Sequence, residues 1–158
     1  MATESRSNQD KISWCELGSK AERILCGPPL DHGCALSANP ERAKDPYAID
    51  AILHVPCDIK TVATPFRTSD RYGIPPEKAI TLNVKDVERY TQLYPVCVIL
   101  FHIVIPGREC RRVAFLSEIE RAIRHGAAPI HRYHERQQDT QGNARQSYVL
   151  NEEWFRRI

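Results

Sequence analysis

The stretch that most constrains the fold is "VCVILFHIVI", residues 96 to 105. Its nearly continuous apolar character leaves no face for water. A membrane-spanning helix needs about 20 such residues, twice what this run offers. A short strand covered on both faces is the expected form. Helices layered over a central sheet would supply the cover.

The neighbouring segments fit that plan. "SWCELGSKAERIL" begins with a capping box, Ser13 as N-cap and Glu16 three residues on. Trp14, Leu17, Ala21, Ile24 and Leu25 then recur at helical spacing, and Gly27-Pro28-Pro29 ends the helix. Glu22 lies about 80° around that helix from Trp14, on the shoulder of the apolar stripe. Residues 30 to 46, rich in Pro, Gly, Asp and Asn, read as a loop. "YAIDAIL" and "CDIKTVA" read as two strands joined by a tight turn at His54-Val55-Pro56.

Beyond the hairpin, "ATPFRTSDRYGIPPEK" (63 to 78) has the prolines and charges of an exposed loop, and "AITL" is a short strand. Asn83 with Asp86 signals the start of a helix over "VKDVERYTQLY", stopped by Pro95. "RRVAFL" is expected to pair with 96 to 105 across the turn "PGRE". Ser117 and Glu120 form a second capping box, and Gly126 closes that helix. Residues 126 to 147 are polar and aperiodic, a loop or arm, and "SYVLNEEWFRRI" docks a final strand or helix. No internal repeat is visible. The expected architecture is α/β: a tail over 1 to 12, then a single domain over 13 to 158 with a central mixed sheet flanked by helices.

Composition sets limits on function. The chain has 158 residues, 42% hydrophobic and 27% charged, which is ordinary for a domain with a sizeable core. A net charge of +2 excludes a histone-like cation excess. The first residues, "MATESRSNQDK", lack the apolar core of a signal peptide, so a cytoplasmic protein with no membrane association is expected. Six cysteines, at 15, 26, 34, 57, 97 and 110, form no CxxC pair, several lie within apolar runs, and they read as reduced core residues. A zinc site on Cys26, His32 and Cys34 would match no usual ligand spacing. His131 and His134 in "HRYH" would share a helical face, but so polar a segment is expected at the surface.

The two strands carry the chemistry. Asp58 and Lys60 are two residues apart and therefore share one face of a strand. Asp50, on a paired strand, would bring a second carboxylate close. Two such carboxylates repel unless a cation lies between them. Hard oxygen donors in small number suit Mg²⁺, which keeps positions open for water and phosphate oxygens. A lysine beside them suits an anionic phosphate or an attacking water. Alternatively, Asp58 and Lys60 form an ordinary ion pair facing solvent.

Glu22 in "GSKAE", Asp50 in "YAID", and Asp58 with Lys60 in "CDIK" together resemble the motif of the PD-(D/E)XK nuclease superfamily. In that superfamily a helix bearing Glu precedes a strand bearing Asp, then a (D/E)-x-K strand, then a helix and further strands. The resemblance covers roughly residues 13 to 125. It implies a restriction-endonuclease-like fold and a Mg²⁺-dependent endonuclease acting on DNA, with Mn²⁺ as a substitute. By that resemblance Asp50, Asp58 and Glu22 are the metal ligands, and Lys60 orients or polarises the attacking water. No proline immediately precedes Asp50, and Asp45 in "KDPYAID" rivals it for the first acidic position.

A nuclease holds a polyanion mainly through Lys and Arg on phosphates. Arg67, Arg71, Arg111, Arg112, Arg132 and Arg136 are the candidates. The length suits a compact structure-specific enzyme better than a sequence-specific one, and cutting two strands would suit a homodimer. Two other readings compete. One is a catalytically inactive nuclease-fold protein acting as a nucleic-acid- or protein-binding module. The other is a small α/β interaction protein whose hairpin charges are incidental.

Overall fold

The structure, a computed structural model, describes residues 16, 20, 24–133 and 146–158. Among the described residues of the helix expected from Ser13, positions 16, 20, 24 and 25 are helical. The chain divides into two compact units, Met1–Val55 and Pro56–Ile158.

In the first unit, β1 (Ala35–Ala38) pairs antiparallel with β2 (Ala51–His54), from Ala35 opposite His54 to Ala38 opposite Ala51. A short 3-10 turn, Pro40–Ala43, connects them. Asn39 caps that turn by accepting from the Glu41 N–H at 3.2 Å, and Pro40 takes a first-turn position where its missing N–H costs nothing. The loop expected over 30 to 46 thus contains a strand.

This pairing corrects the expected hairpin. The second unit begins with β3 (Cys57–Val62), and β3 pairs with β5 (Val98–Ile105) in parallel, not with β2. The reason is local. A two-residue hairpin loop needs positive φ at one or both positions, which favours Gly or Asn. Val55 is β-branched and Pro56 is fixed near −65°, so neither serves. The Pro56 carbonyl instead accepts from the Val98 N–H at 2.9 Å and starts the β3–β5 ladder.

The second unit contains two sheets. One has the order β3-β5-β6-β9, where β6 is Arg108–Phe115 and β9 is Arg156–Arg157. β6 runs antiparallel to β5 across the expected turn, with Ile105 opposite Arg108. The other has the order β4-β8-β7, all antiparallel: β4 (Ala79–Asn83), β8 (Gln146–Asn151) and β7 (Ile130–Arg132). β7 lies within the stretch expected to be a polar arm. Residues 134–145 of that stretch are outside the described set.

Two helices complete this unit: α1 (Val84–Leu93) and α2 (Leu116–Arg124). Val87 and Tyr90 of α1 lie three apart and both are buried, as are Leu116 and Ile119 of α2. They join Ile80, Leu82, Ile99, Phe101, Ile103, Ala114, Leu150 and Phe155 in one core drawn from both sheets and both helices. Phe101 and Phe155 stack at 5.9 Å. Burial alternates along β5, with Ile99, Phe101 and Ile103 inside and Val104 exposed. Val98, Leu100 and His102 on the other face are half-buried, so that face is covered only in part, less than the full two-sided cover expected from the composition.

The chain is a mixed α/β protein; among the described residues of the second unit, two helices flank the sheets. No described helix is long and apolar enough to cross a membrane.

Candidate functional site

The parallel register fixes which side chains of β3 meet the core. Asp58 lies opposite Ile99, Lys60 opposite Phe101 and Val62 opposite Ile103. Asp58, Lys60 and Val62 are accordingly half-buried, while Cys57, Ile59 and Thr61 point to solvent. The shared face of Asp58 and Lys60, expected from the period-2 spacing, is present. It is turned toward α1, not toward water.

Helix α1 supplies what the sequence did not reveal. Asp86, in its first turn, accepts from Lys60 Nζ at 2.7 Å. The same ammonium lies 3.1 Å from Asp58 Oδ2 and 5.8 Å from the centre of the Tyr90 ring. Arg89 donates to Asp86 Oδ1 at 2.9 Å and to the Tyr90 hydroxyl at 3.2 Å. In the sequence Asp86 signals only a helix start, together with Asn83. Asn83 is the N-cap residue, yet its Oδ1 accepts from the Ser147 hydroxyl at 2.9 Å and caps nothing. Asp86 is thereby left to bind Lys60, a contact no local pattern encodes.

Burial works against the Lys60 charge, but contacts with Asp86, Tyr90 and Asp58 outweigh it and hold the ammonium above the ordinary lysine range. Lys60 is therefore a fixed cation at neutral pH. Burial raises the Tyr90 phenol, with Lys60 and Arg89 pulling the other way. Burial also pushes up the Cys97 thiol, and the Asp58 charge adds to that.

Asp58 Oδ2 is buried and has no hydrogen bond, so its contact with the ammonium is electrostatic without donor alignment. A hard oxygen donor in that condition fits a divalent cation. Asp86 is already engaged, since its two oxygens accept from Lys60 and Arg89, which leaves Asp58 as the one carboxylate here for such an ion. Among the described residues there is no group of three His, Cys, Asp or Glu placed to hold a metal, Cys26, His32 and Cys34 included.

The remaining expected ligands lie in the first unit. Asp50 precedes β2, is exposed, and pairs with Arg42 Nε at 3.1 Å. Arg42 also donates to the Pro46 carbonyl and, at 3.1 Å, to that of Ala48, so it closes the turn that leads into β2. Asp45 accepts from the Tyr47 N–H at 2.9 Å, a local turn contact. Glu22 lies outside the described residues.

The expected nucleic-acid arginines separate. Arg67, Arg71, Arg111 and Arg132 are exposed, and Arg136 lies outside the described residues. Arg112 instead turns inward and donates to Glu152 Oε1 at 3.3 Å. Glu152 is fully buried and also accepts from Arg108, an internal charge cluster that tethers the C-terminal segment to β6. Arg71 and the Tyr72 hydroxyl both contact His131 Nδ1. His131, expected at the surface with His134, is buried on β7, and His134 is outside the described residues.

No family model, no curated protein and no solved structure matches the chain.

Proposed function

We propose that the protein is a metal-dependent endonuclease that hydrolyses phosphodiester bonds in DNA, with its reacting centre on β3. The observation that carries this reading is the pair on β3: Asp58, whose buried Oδ2 lies 3.1 Å from Lys60 Nζ, shares a strand face with a Lys60 held as an ammonium. The restriction-endonuclease-like fold goes with it. β3 and β5 are parallel neighbours whose crossover carries α1, in keeping with the strand, helix and strand that follow the motif in that superfamily.

In this reading Asp58 binds the cation, and Asp50 and Glu22 are assigned to it by the motif alone. Mg²⁺, or Mn²⁺ in its place, supplies Lewis acidity toward the phosphate and acidifies a bound water. Lys60, held as an ammonium, cannot take a proton from that water. Its work is electrostatic: it orients the water and offsets the charge that develops on the phosphate. Asp86 and Tyr90 position the ammonium. Exposed Arg67, Arg71, Arg111 and Arg132 bind backbone phosphates.

One observation favours a second reading, an inactive nuclease-fold protein that binds nucleic acid or protein. Lys60 already satisfies two carboxylates, so the cluster is also complete as a structural ion network.

Calorimetric titration of Mg²⁺ and Mn²⁺ into the wild type, Asp58→Ala and Lys60→Ala separates the two. The same samples are assayed on plasmid and branched DNA. Metal binding that disappears in Asp58→Ala, with cleavage lost in both variants, is the expected result. No metal binding by the wild type would overturn the nuclease reading in favour of the binding module.

A further inference from the structure

We propose that the aromatic cluster of Phe66, His131 and Tyr133, bordered by Arg67, Arg71 and Arg132, binds an unpaired stretch of DNA, with a base stacked on Tyr133. This rests on the endonuclease reading for the class of polymer and adds the form in which that polymer is held.

The cluster joins two segments that are distant in sequence. Phe66 lies in the loop that leaves β3, and Tyr133 directly follows β7. His131 sits between them, 4.9 Å from Phe66 and 4.5 Å from Tyr133 between ring centres, with planes inclined at 79° and 83°. The two outer rings are 6.4 Å apart. The loop over 63 to 78 is largely exposed, as expected, but Phe66 and Tyr72 anchor it on Ile74, Ala79 and Val149. Arg71 and Tyr72 fix the His131 ring through Nδ1.

Tyr133 differs from its neighbours. It belongs to neither apolar core, and 37% of it is exposed. Among the described residues its ring meets His131 at 83° and Phe66 at 55°. An aromatic ring anchored by such neighbours, with more than a third of its surface exposed, offers a stacking platform. Every nucleobase has a π face to offer it.

Charge decides what kind of ligand the platform takes. Arg67, Arg71 and Arg132 are exposed, and among the described residues none of them is ion-paired to a carboxylate. Asp70 is the lone acidic residue from 63 to 73. A quaternary ammonium, the usual guest of aromatic cages, would be repelled by these guanidiniums. A polyanion with planar rings is attracted by both features. Bases inside a duplex are already stacked, so the platform selects a single strand, a flap or a frayed end.

The test is fluorescence anisotropy in EDTA, with a labelled oligothymidylate and a duplex of the same length. The proteins are the wild type, Tyr133→Ala, Tyr133→Phe, Arg132→Ala and Asp58→Ala. The wild type should prefer the single strand. Tyr133→Ala should weaken single-strand binding about five- to hundredfold and leave duplex binding unchanged, while Tyr133→Phe restores the wild-type value. Arg132→Ala should weaken both and reduce the salt slope by about one. A Tyr133→Ala protein that melts like the wild type and binds the single strand equally well would overturn the proposal. So would a wild type that prefers the duplex or binds neither. Asp58→Ala should bind like the wild type. If the wild type, assayed separately with Mg²⁺, cuts neither plasmid nor branched DNA, the catalytic reading fails alone; if it cuts there and Tyr133→Ala binds unchanged in EDTA, the platform fails alone.

Discussion

Lys60 on β3 donates to Asp86 in the first turn of α1 across 2.7 Å, and this contact ties the edge strand to the helix beside it. Asp86 is also bonded to the exposed Arg89. The two bonds are not equivalent. Lys60 is half-buried, and losing its acceptor leaves an ammonium away from full hydration. Arg89 loses little, because water replaces its partner. Asp86→Ala is expected to destabilise the protein by about 1–3 kcal/mol and Arg89→Ala by less than about 1 kcal/mol, measured by urea denaturation. Equal effects would mean that the Lys60 contact is not the structural one.

The raised Lys60 pKa sets a pH window for the same contact. The folded value lies above the unfolded one, about 10.4. Its contribution to stability is therefore fully present below about pH 10 and is lost as pH rises through the folded value. The stability difference between the wild type and Lys60→Met should stay constant from about pH 7 to about pH 10 and narrow above that. Thermal melts of both proteins across that range read it directly, and the comparison cancels the titration of other tyrosines and lysines. A difference that shrinks between pH 7 and 9 would place the effect elsewhere.

Much of this arrangement was legible in the sequence, and the failures have physical causes. The helices at 84–93 and 116–124 and the strands at 57–62 and 98–105 follow from their periodicity and apolarity. Strand partners do not follow, because pairing between distant segments leaves no local mark. β1, "ALSA", has no β-branched or aromatic residue to announce it. The box expected from Ser117 and Glu120 is shifted: the Phe115 N–H donates to Glu118 Oε2 at 2.9 Å, and Glu120 accepts from the Thr91 hydroxyl instead. Gly126, with φ of 71°, does close the helix as expected. Of the candidate site, the Asp58–Lys60 face was readable from alternation, whereas Asp86 became visible only when α1 was placed over β3.

Glu152 was the least legible residue, since a glutamate in "NEEWF" reads as surface. It is fully buried, and Arg108 and Arg112 of β6 both donate to it. Removing one member of a buried ion cluster leaves the others uncompensated, at a cost of about 3–5 kcal/mol. Glu152→Ala is therefore expected to lose that much stability in urea, far more than Glu153→Ala. Glu153 is exposed, and its carboxyl is held below the usual range by Lys78. Similar losses for the two variants would show that the buried cluster carries no special weight.

Asp50 separates a structural role from a catalytic one. Its carboxylate is exposed and pairs with Arg42, which is also exposed, so the pair contributes between about 0 and 1 kcal/mol. Asp45, its rival, is occupied by the Tyr47 N–H. If Asp50 is a metal ligand, Asp50→Asn will abolish cleavage of plasmid DNA while shifting the urea midpoint hardly at all, and Asp45→Asn will keep its activity. Asp58→Asn should also abolish cleavage, because the amide puts a donor-bearing nitrogen on a side chain whose Oδ2 faces a cation. An active Asp50→Asn would remove that residue from the site, and an active Asp58→Asn would remove the site from β3.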